Sequence, residues 1–347
     1  MAETSKLTVD TANVSQNLVF ARLSAAARDA HFAANPPEIG MLIFNDDDKV
    51  LEFWNGSEWK LALGNRTGGG GAQRYEFNSF EYDATETSAT GPSLATVVGR
   101  ISGNDAWKNN TEYLNVSGGV WSWTIPGTGN YKIECWGAQG GRSNYYGPAG
   151  GLGVYATGTV NIQGGTVLKI VVGQKGGSNG YDCGGGGGTY VCEDDNTPLV
   201  IAGGGGGGSA SGMNGPGPQN GTTSETGGST AYGPGGSNGA GGGGNNGAAG
   251  GGGGTTGNGN GSWGGQGLSA GSQGGSGTSG GSGGFGGGGG GGQTNGAGGG
   301  GGYGGGAMSR WSYYAAGGGS YVTSDAQSVV KTAGQKSNAG KIKITKV

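Results

Sequence analysis

Several short stretches of the chain contain apolar residues that mostly alternate with polar ones, which is the two-residue period of β-strands. They predict a mainly β protein. Turn-forming residues separate the stretches, and Asn55-Gly56 is a strong hairpin signal. The last stretch should turn Ile342, Ile344 and Val347 toward the core. The predicted strands cover residues 41–44, 50–54, 59–63, 75–83, 120–125, 131–136, 154–162, 167–172, 198–202 and 340–347.

The residues before these strands show a different spacing of apolar positions. Over residues 12–34, apolar or small residues recur at the three- and four-residue spacing of an amphipathic helix, and Asn35-Pro36-Pro37 ends the pattern. This helix and the three strands after it form a predicted first unit, residues 1–65. A glycine-rich linker, residues 66–74, separates it from a predicted second unit, residues 75–347.

Glycine dominates the second unit from about residue 184 to residue 319. The chain holds 94 glycines among its 347 residues, and runs such as 203–208 and 298–302 are pure glycine. This composition is typical of disorder, because ordering a glycine costs about 0.5–1 kcal/mol more than ordering an alanine. The alternative is an array of extended glycine helices, since glycine lets backbones approach closely enough to form hydrogen bonds. The composition alone leaves both interpretations open, but the runs lack the Gly-x-y period of collagen.

Residues 40–59 resemble a recurring module of bacteriophage fibre proteins. The matching features are Gly40-Met-Leu-Ile-Phe-Asn45, the acidic turn that follows, and Phe53-Trp-Asn-Gly-Ser-Glu-Trp59. The resemblance implies that residues 1–65 attach the protein to a virus particle and take part in oligomerisation.

Most of residues 120–347 resemble the glycine-rich domain of anaplastic lymphoma kinase and its relative leukocyte tyrosine kinase. The similar blocks occur in the same order and include Trp123–Ile133, Trp136–Gly141, Val167–Gly176, Pro198–Gly208, Gly283–Gly292, Gly298–Gly305 and the final Gly-Lys-Ile-Lys-Ile. The resemblance implies a β-sandwich of the tumour-necrosis-factor or jelly-roll type with an inserted bundle of polyglycine-II helices. It favours order over disorder. The sequence shows no kinase segment, so only the architecture is expected to carry over.

Charge and hydropathy narrow the range of partners. The net charge is −3 and no Arg-Gly-Gly repeat occurs among the glycines, so nucleic acid is not an expected partner. No apolar run reaches the roughly 20 residues of a membrane-spanning helix, and no secretory signal is visible. We therefore expect synthesis in a host cytoplasm without membrane insertion. There Cys135, Cys183 and Cys192 should stay free thiols, with a Cys183–Cys192 disulfide as the alternative.

Few groups in the sequence are suited to catalysis or metal binding. The chain has one histidine, His31, and the acidic turn Asp46-Asp47-Asp48 lacks the ligand spacing of a calcium loop. We expect no enzyme activity, no cofactor and no metal site. The candidates for host contact are aromatic residues within or just after the glycine-rich part: Tyr232, Trp311, Tyr313 and Tyr314. The alternative role for such rings is bracing the glycine helices, which we favour for Trp263 and Phe285.

These features predict a bacteriophage structural protein: a tail or head fibre whose rigid glycine-rich distal domain acts as an adhesin. Residues 1–65 would bind other virion proteins, and the second unit would contact a saccharide or protein receptor on the host cell. The fibre resemblance and the sandwich type predict a homotrimer exposed on the virion surface. The alternative is a structural decoration of the capsid, neck or tail that binds no receptor. An ice-binding protein is a weaker third possibility, because a flat face of regularly spaced Thr or Ser is missing.

Overall fold

Two units make up the chain in the computed structural model, Met1–Ala72 and Gln73–Val347. The boundary between them falls inside the predicted linker, residues 66–74. The protein is mainly β: its described strands form three sheets, and the described residues contain two α-helices. The residues that the structure describes are 21–33, 36–47, 50–61, 74–102, 105–143, 149–178, 181–209, 219–278, 281–292, 296–311 and 313–347.

The first unit contains a small sheet and one helix. Its described elements are β1 (Arg22–Leu23), α1 (Ala25–Phe32), β2 (Leu42–Asn45), β3 (Val50–Trp54) and β4 (Trp59–Leu61). The sheet has the order β1-β2-β3-β4, parallel between β1 and β2 and antiparallel elsewhere. The strands predicted over 41–44, 50–54 and 59–63 correspond to β2, β3 and β4, and residues 62–63 lie outside the described residues.

The helix predicted over residues 12–34 is wrong at its centre. The residues before 21 lie outside the described part, but Arg22 lies in β1, and α1 begins only after Ser24. Ser24 caps the helix, because its side-chain oxygen accepts the N–H of Ala27 at 3.1 Å. Tertiary contacts override the helical period here: Arg22 pairs β1 with β2 and forms an ion pair with Asp46 in the acidic turn.

Two antiparallel sheets form the framework of the second unit. The six-stranded sheet contains β6 (Leu114–Ser117), β7 (Val120–Thr124), β10 (Val167–Val171), β11 (Thr189–Glu193), β12 (Pro198–Ala202) and β13 (Tyr321–Val322), in the order β13-β12-β11-β10-β7-β6. The five-stranded sheet contains β5 (Ser79–Asp83), β8 (Gly129–Trp136), β9 (Gly153–Ile162), β14 (Gln327–Lys336) and β15 (Lys341–Lys346), in the order β14-β9-β8-β15-β5. The described residues also form α2 (Leu94–Arg100) and the 3₁₀ turns Ala106–Asn109 and Leu268–Ala270.

One hydrophobic core contains side chains from both sheets. Trp121 and Trp123 of β7 pack with Phe80 of β5, whose ring centroid lies 5.2 Å from that of Trp123. Strand alternation supplies the inward side chains, and Ile342 and Ile344 of β15 are fully buried as predicted.

The prediction that Val347 faces the core is wrong. β15 ends at Lys346, and Val347 is 67% exposed. Residues on the same face of a strand are an even number of positions apart. A residue three positions after Ile344 therefore cannot share its face.

Glycine-rich segments continue the strands beyond one end of the sheets. They follow β8, β10 and β12 and precede β9, β11 and β13, and antiparallel pairing brings these strand ends together. We call this end of the sheets the glycine end. The described segments that leave or reach it directly are 137–143, 149–152, 173–178, 183–188, 203–209 and 313–320.

Backbone hydrogen bonds in these segments repeat with a period of three residues. The N–H groups of Gly204, Gly205, Gly206 and Gly207 donate to the carbonyl oxygens of Gly301, Ala138, Gln219 and Gly298 at distances from 2.8 to 3.0 Å. Gly204 and Gly207 thus reach one neighbouring segment, and the two residues between them reach two others. A β-strand pairs only on two opposite sides, so the arrangement is not a sheet ladder.

Segment 298–303 has other backbone segments on all sides. Its N–H groups donate in a repeating order to three segments, and the carbonyl oxygens of residues 298–301 accept from three more. The six neighbours are 183–188, 250–254, 315–320, 203–208, 288–292 and 305–309. A buried backbone must pair its N–H and C=O groups, and here other segments supply those partners.

The close approach of these segments leaves no room for side chains. A Cβ atom on Gly299 would lie 2.0 Å from the carbonyl oxygen of Gly306, and one on Gly300 would lie 2.3 Å from that of Gly204. Neither glycine has a positive φ, so packing rather than backbone angle requires glycine here. On α2, by contrast, a Cβ atom on Gly99 would meet nothing within 4 Å.

Candidate binding surface

The glycine segments run away from the sheets and return to them. Gly204 lies near the end of β12, and Gly207 lies three residues farther from the sheets. In the neighbouring segment Gly204 bonds to Gly301, and Gly207 bonds to Gly298. Gly298 is therefore at the end of its segment that is farther from the sheets.

One turn at this farther end carries two of the predicted contact residues. The N–H of Ser309 donates to the carbonyl oxygen of Ala297 at 2.9 Å, next to Gly298. The turn that follows Ser309 contains Trp311 and Tyr313. We call this end of the glycine segments the remote end.

The described part of the second unit begins on the other side of the sheets. The N–H of Arg74 donates to the carbonyl oxygen of Pro126 at 2.7 Å, just after β7. Thr124 of β7 pairs with Val167 at the start of β10, and β10 runs from there toward the glycine end. The sheets therefore separate Arg74 from the remote end.

Three aromatic side chains meet at the remote end. The ring centroid of Tyr232 lies 5.8 Å from that of Trp311, edge to face, and 5.7 Å from that of Tyr313. Trp311 is 60% exposed and Tyr313 is 38% exposed. The guanidinium carbon of Arg310 lies over the Trp311 ring, 5.2 Å from its centroid. We call these four side chains, Tyr232, Arg310, Trp311 and Tyr313, the aromatic patch.

Hydrogen bonds hold the turn that carries Trp311. The N–H of Tyr313 donates to the carbonyl oxygen of Arg310 at 3.1 Å, and the hydroxyl of Ser309 donates to the carbonyl oxygen of Tyr313 at 2.5 Å. Trp311 has a φ of 47°, in the left-handed region that residues with a side chain rarely adopt. Such a conformation persists where the surroundings hold it, and the hydrogen bonds of this turn hold the Trp311 backbone here.

A second turn positions Tyr232 against the first. The hydroxyl of Thr230 donates to the carbonyl oxygen of Met308 at 2.7 Å and accepts the N–H of Tyr232 at 3.1 Å. The Tyr232 side chain packs on a small buried cluster of Met308, Ala248 and Ala249. The two turns are therefore joined by hydrogen bonds and by apolar contact.

Tyr314, the fourth candidate for host contact, does not belong to this exposed surface. Its side chain is 6% exposed, and burial raises the pKa of its hydroxyl. Successive side chains of an extended chain point in opposite directions, so Tyr314 points inward where Tyr313 points outward. The structure brings together Tyr232, Trp311 and Tyr313 but places Tyr314 below the surface.

Other rings connect the glycine segments to the outer face of the six-stranded sheet. Phe285 is fully buried in a cluster with Tyr190 and Leu268, a position that fits the predicted bracing role. The Tyr190 hydroxyl donates to the carbonyl oxygen of Gly302 at 3.0 Å. Trp263, also predicted to brace, is half-buried.

Sequence reasoning did not single out Arg310. A signal was present, because residues 203–319 contain only two charged residues, Glu225 and Arg310. Glu225 lies near the sheets, since its neighbour Ser224 accepts the N–H of Ser320 just before β13 at 2.7 Å. Within residues 203–319, Arg310 is thus the charged side chain that lies at the remote end.

The three cysteines are buried, and no disulfide joins them. Cys183 begins the segment that leads to β11, and Cys192 lies near the end of β11. Nine extended residues span roughly 28 Å at about 3.1 Å each, whereas the Cα atoms of a disulfide lie within about 7 Å. The alternative of a Cys183–Cys192 disulfide is therefore wrong. Burial raises the pKa of Cys192 to about 12 and that of Cys135 well above its usual value.

Comparison with known proteins adds no family assignment. No protein-family model matches the sequence, and no curated protein matches it. Among the described residues, no helix is long and apolar enough to cross a membrane, and no group of three His, Cys, Asp or Glu side chains could hold a metal ion. A function therefore has to be inferred from the glycine segments and the aromatic patch.

Proposed function

We propose that this chain is a bacteriophage structural protein, a tail or head fibre that acts as an adhesin on the virion surface. Residues 1–65 bind other virion proteins. The second unit is a tumour-necrosis-factor-like, jelly-roll β-sandwich whose inserted polyglycine-II helices present the aromatic patch to a receptor on the host cell. The observation that carries the proposal is the position of the patch: the sheets separate it from Arg74, where the described part of the second unit begins.

The hydrogen bonds of the glycine segments support the polyglycine-II assignment. A threefold extended helix directs successive N–H groups to different neighbours and returns to the first neighbour after three residues. The partners of Gly204 to Gly207 follow that order. The six neighbours of segment 298–303 match the hexagonal packing of such helices. Backbone packing of this kind keeps the loops at the remote end in fixed positions.

The exposure of the patch supports receptor contact. A Trp side chain that is 60% exposed contributes little to the packing of its own chain. Trp and Tyr have two side-chain torsions, so they offer a large contact area at a small entropic cost. The closed turn around Trp311 lowers that cost further, because the ring is already positioned.

The small core of the first unit supports attachment and assembly through residues 1–65. Among the described residues of this unit, Ile43 is the one large hydrophobic residue whose side chain is fully buried. No residue of α1 is buried. Ile39 is 79% exposed. A sheet with so little buried apolar surface gains stability from a partner, which fits a homotrimer on a particle. Sedimentation of the full chain should give three times the monomer mass, and a monomeric full chain that stays single on the particle would contradict the trimer.

Competition for host adsorption tests the adhesin role. Purified full-length protein, added to host cells before the phage, should block adsorption. A Trp311→Ala/Tyr313→Ala double variant should fail to block at the same concentration and should melt at nearly the same temperature, because both side chains are exposed. The control is Val329→Ala/Val330→Ala on β14, which removes exposed apolar side chains from the sheet and should block like the unchanged protein.

Two outcomes would contradict the proposal in different ways. If antibodies to residues 75–347 label the virion but the protein never affects adsorption, the chain is a structural decoration that binds no receptor. If the antibodies do not label the virion, the phage assignment is wrong. A double variant that still blocks adsorption would show that the patch is not the contact.

A further inference from the structure

The aromatic patch contains a positive charge that no ion pair of the described chain neutralises. Arg310 has no carboxylate partner among the described residues, and its Nε is buried there without a hydrogen-bond acceptor. A guanidinium group presents paired N–H donors whose spacing matches a carboxylate or a phosphate. Arg310 therefore offers an anion-binding group at the remote end.

The indole beside it offers a flat apolar surface. Arg310 covers one face of the Trp311 ring, and Tyr232 contacts the ring edge to face, yet the side chain remains 60% exposed. Sugar rings present C–H groups that pack on aromatic faces. A stacking surface and an anion-binding group thus lie within the reach of one short oligosaccharide.

Acidic side chains near Arg310 bear on whether an anionic ligand can bind, because a carboxylate there repels a second acid. Asp182 lies toward the remote end, where its carboxylate accepts the N–H of Gly296 at 3.1 Å and the hydroxyl of Thr278 at 3.4 Å, and among the described ion pairs it is not a partner of Arg310. The only acidic residue within residues 203–319, Glu225, lies near the sheets.

We infer that the patch recognises an acidic oligosaccharide. A sugar ring of the ligand stacks on Trp311, and a carboxylate or phosphate group of the same ligand binds the guanidinium of Arg310. This inference rests on the proposed function and specifies the class of receptor. Carboxylate and phosphate share the chemistry that Arg310 recognises, and the experiment below distinguishes them.

The affinity of the purified full-length protein for defined sugars tests the inference. Calorimetry should compare a neutral oligogalactose, an oligogalacturonate of equal length and a phosphorylated oligosaccharide of equal length. We expect at least one acidic ligand to bind about tenfold or more tightly than the neutral one, as a hydrogen-bonded charge pair provides. That preference should shrink at high salt, because exposed charge pairs are screened. The tighter of the two acidic ligands identifies the charged group.

Variants separate the two parts of the ligand contact. Arg310→Gln should reduce the ratio of acidic to neutral affinity to about one, because it removes the positive charge that the acidic group binds. Trp311→Ala should weaken all three ligands, because each needs the stacking surface. The matched control is Lys331→Gln on β14, which removes a positive charge from the sheet and should change nothing. Melting temperatures verify that every variant folds.

The inference is overturned if neutral and acidic ligands bind equally, or if Arg310→Gln keeps the preference. It is also overturned if no sugar binds while the protein still blocks phage adsorption, and the adhesin role then stands with a protein receptor. If the protein neither binds sugars nor affects adsorption, the proposed function fails as well.

Discussion

Two regions of the second unit bury their interiors in opposite ways. Between the sheets, aromatic and branched side chains such as Trp121 and Ile133 fill the core. In the glycine segments, side chains are almost absent, and backbone N–H groups pair with carbonyl oxygens of neighbouring segments. The regions meet at Tyr190, whose ring packs with Phe285 while its hydroxyl donates to the carbonyl oxygen of Gly302 at 3.0 Å.

The difference indicates how the stability of each region depends on the volume of its side chains. Burial of apolar side chains is non-directional, and it weakens mainly when volume is lost. Hydrogen bonds between backbones require close approach, and they weaken when volume is added, even as one methyl group. The two regions should therefore respond to substitutions of opposite kinds.

The largest effect should come from removing volume between the sheets. Trp123→Ala deletes a fully buried ring that packs with Phe77 and Phe80 at centroid distances of 5.1 and 5.2 Å. We expect the free energy of unfolding to fall by about 3–5 kcal/mol. Urea unfolding measures it. The matched control is the same substitution at the exposed ring, Trp311→Ala, which should cost less than about 1 kcal/mol. Equal losses at both positions would mean that burial between the sheets is not what stabilises the unit.

A somewhat smaller effect should come from adding volume to the glycine segments. Gly299→Ala would place a Cβ atom 2.0 Å from the carbonyl oxygen of Gly306, so the segments must separate. We expect a loss of about 3 kcal/mol, at the upper end of overpacking, because backbone atoms cannot change rotamer to relieve the contact.

Its control is Gly99→Ala on α2, where the new methyl group meets nothing within 4 Å. Alanine favours a helix over glycine by about 1 kcal/mol, so this variant should gain stability. Thermal melting of both variants gives the comparison. A Gly299→Ala protein as stable as the unchanged chain would contradict the close packing of the segments.

The smallest effect should come from pH and should belong to the sheet region. Burial raises the pKa of Cys192 on β11 to about 12 from a reference of 9.0, so the folded state keeps the thiol neutral. The stability that this provides is complete below pH 9.0 and is lost progressively as the pH rises toward about 12. Between about pH 8 and pH 10 the loss should be about 1 kcal/mol.

Cys192→Ala isolates that contribution from those of the buried tyrosines, because burial raises the pKa of Tyr75, Tyr82 and Tyr190 as well. The variant should lose about 1 kcal/mol less than the unchanged protein over this pH interval, as measured by urea unfolding at each pH. Identical pH dependence in both proteins would show that the thiol is not held neutral by burial.

Strands with strong local patterns could be predicted from the sequence. Residues 50–54 and 198–202 coincide with β3 and β12, because apolar runs between turn residues are a local signal. β13 was not predicted because it has only two residues. β14 was not predicted because most of its side chains are exposed and show no alternation. The start of α1 was misplaced because tertiary contacts overrode the helical period, and Val347 was misassigned because it lies an odd number of positions after Ile344.

The candidate surface was predictable only in part. Aromatic residues in a glycine-rich context predicted Tyr232, Trp311, Tyr313 and Tyr314 as host contacts, and that role stays a prediction. The structure brings the first three together, but the sequence did not reveal that Tyr314 points inward. It also did not reveal that Arg310 stacks on Trp311, because that contact depends on the closed turn.

By itself, the sequence determined that the protein is mainly β and that its long extended segments consist of glycine. The alternation of apolar and polar residues and the absence of a Cβ atom are local properties, so both can be identified directly from the sequence. Only the tertiary structure decided which segments are neighbours and which end carries the aromatic patch. Glycine has no side chain with which to specify a partner, so the pairing of Gly204 with Gly301 depends on the strand-attached segments, such as 183–188 and 315–320, that surround residues 298–303.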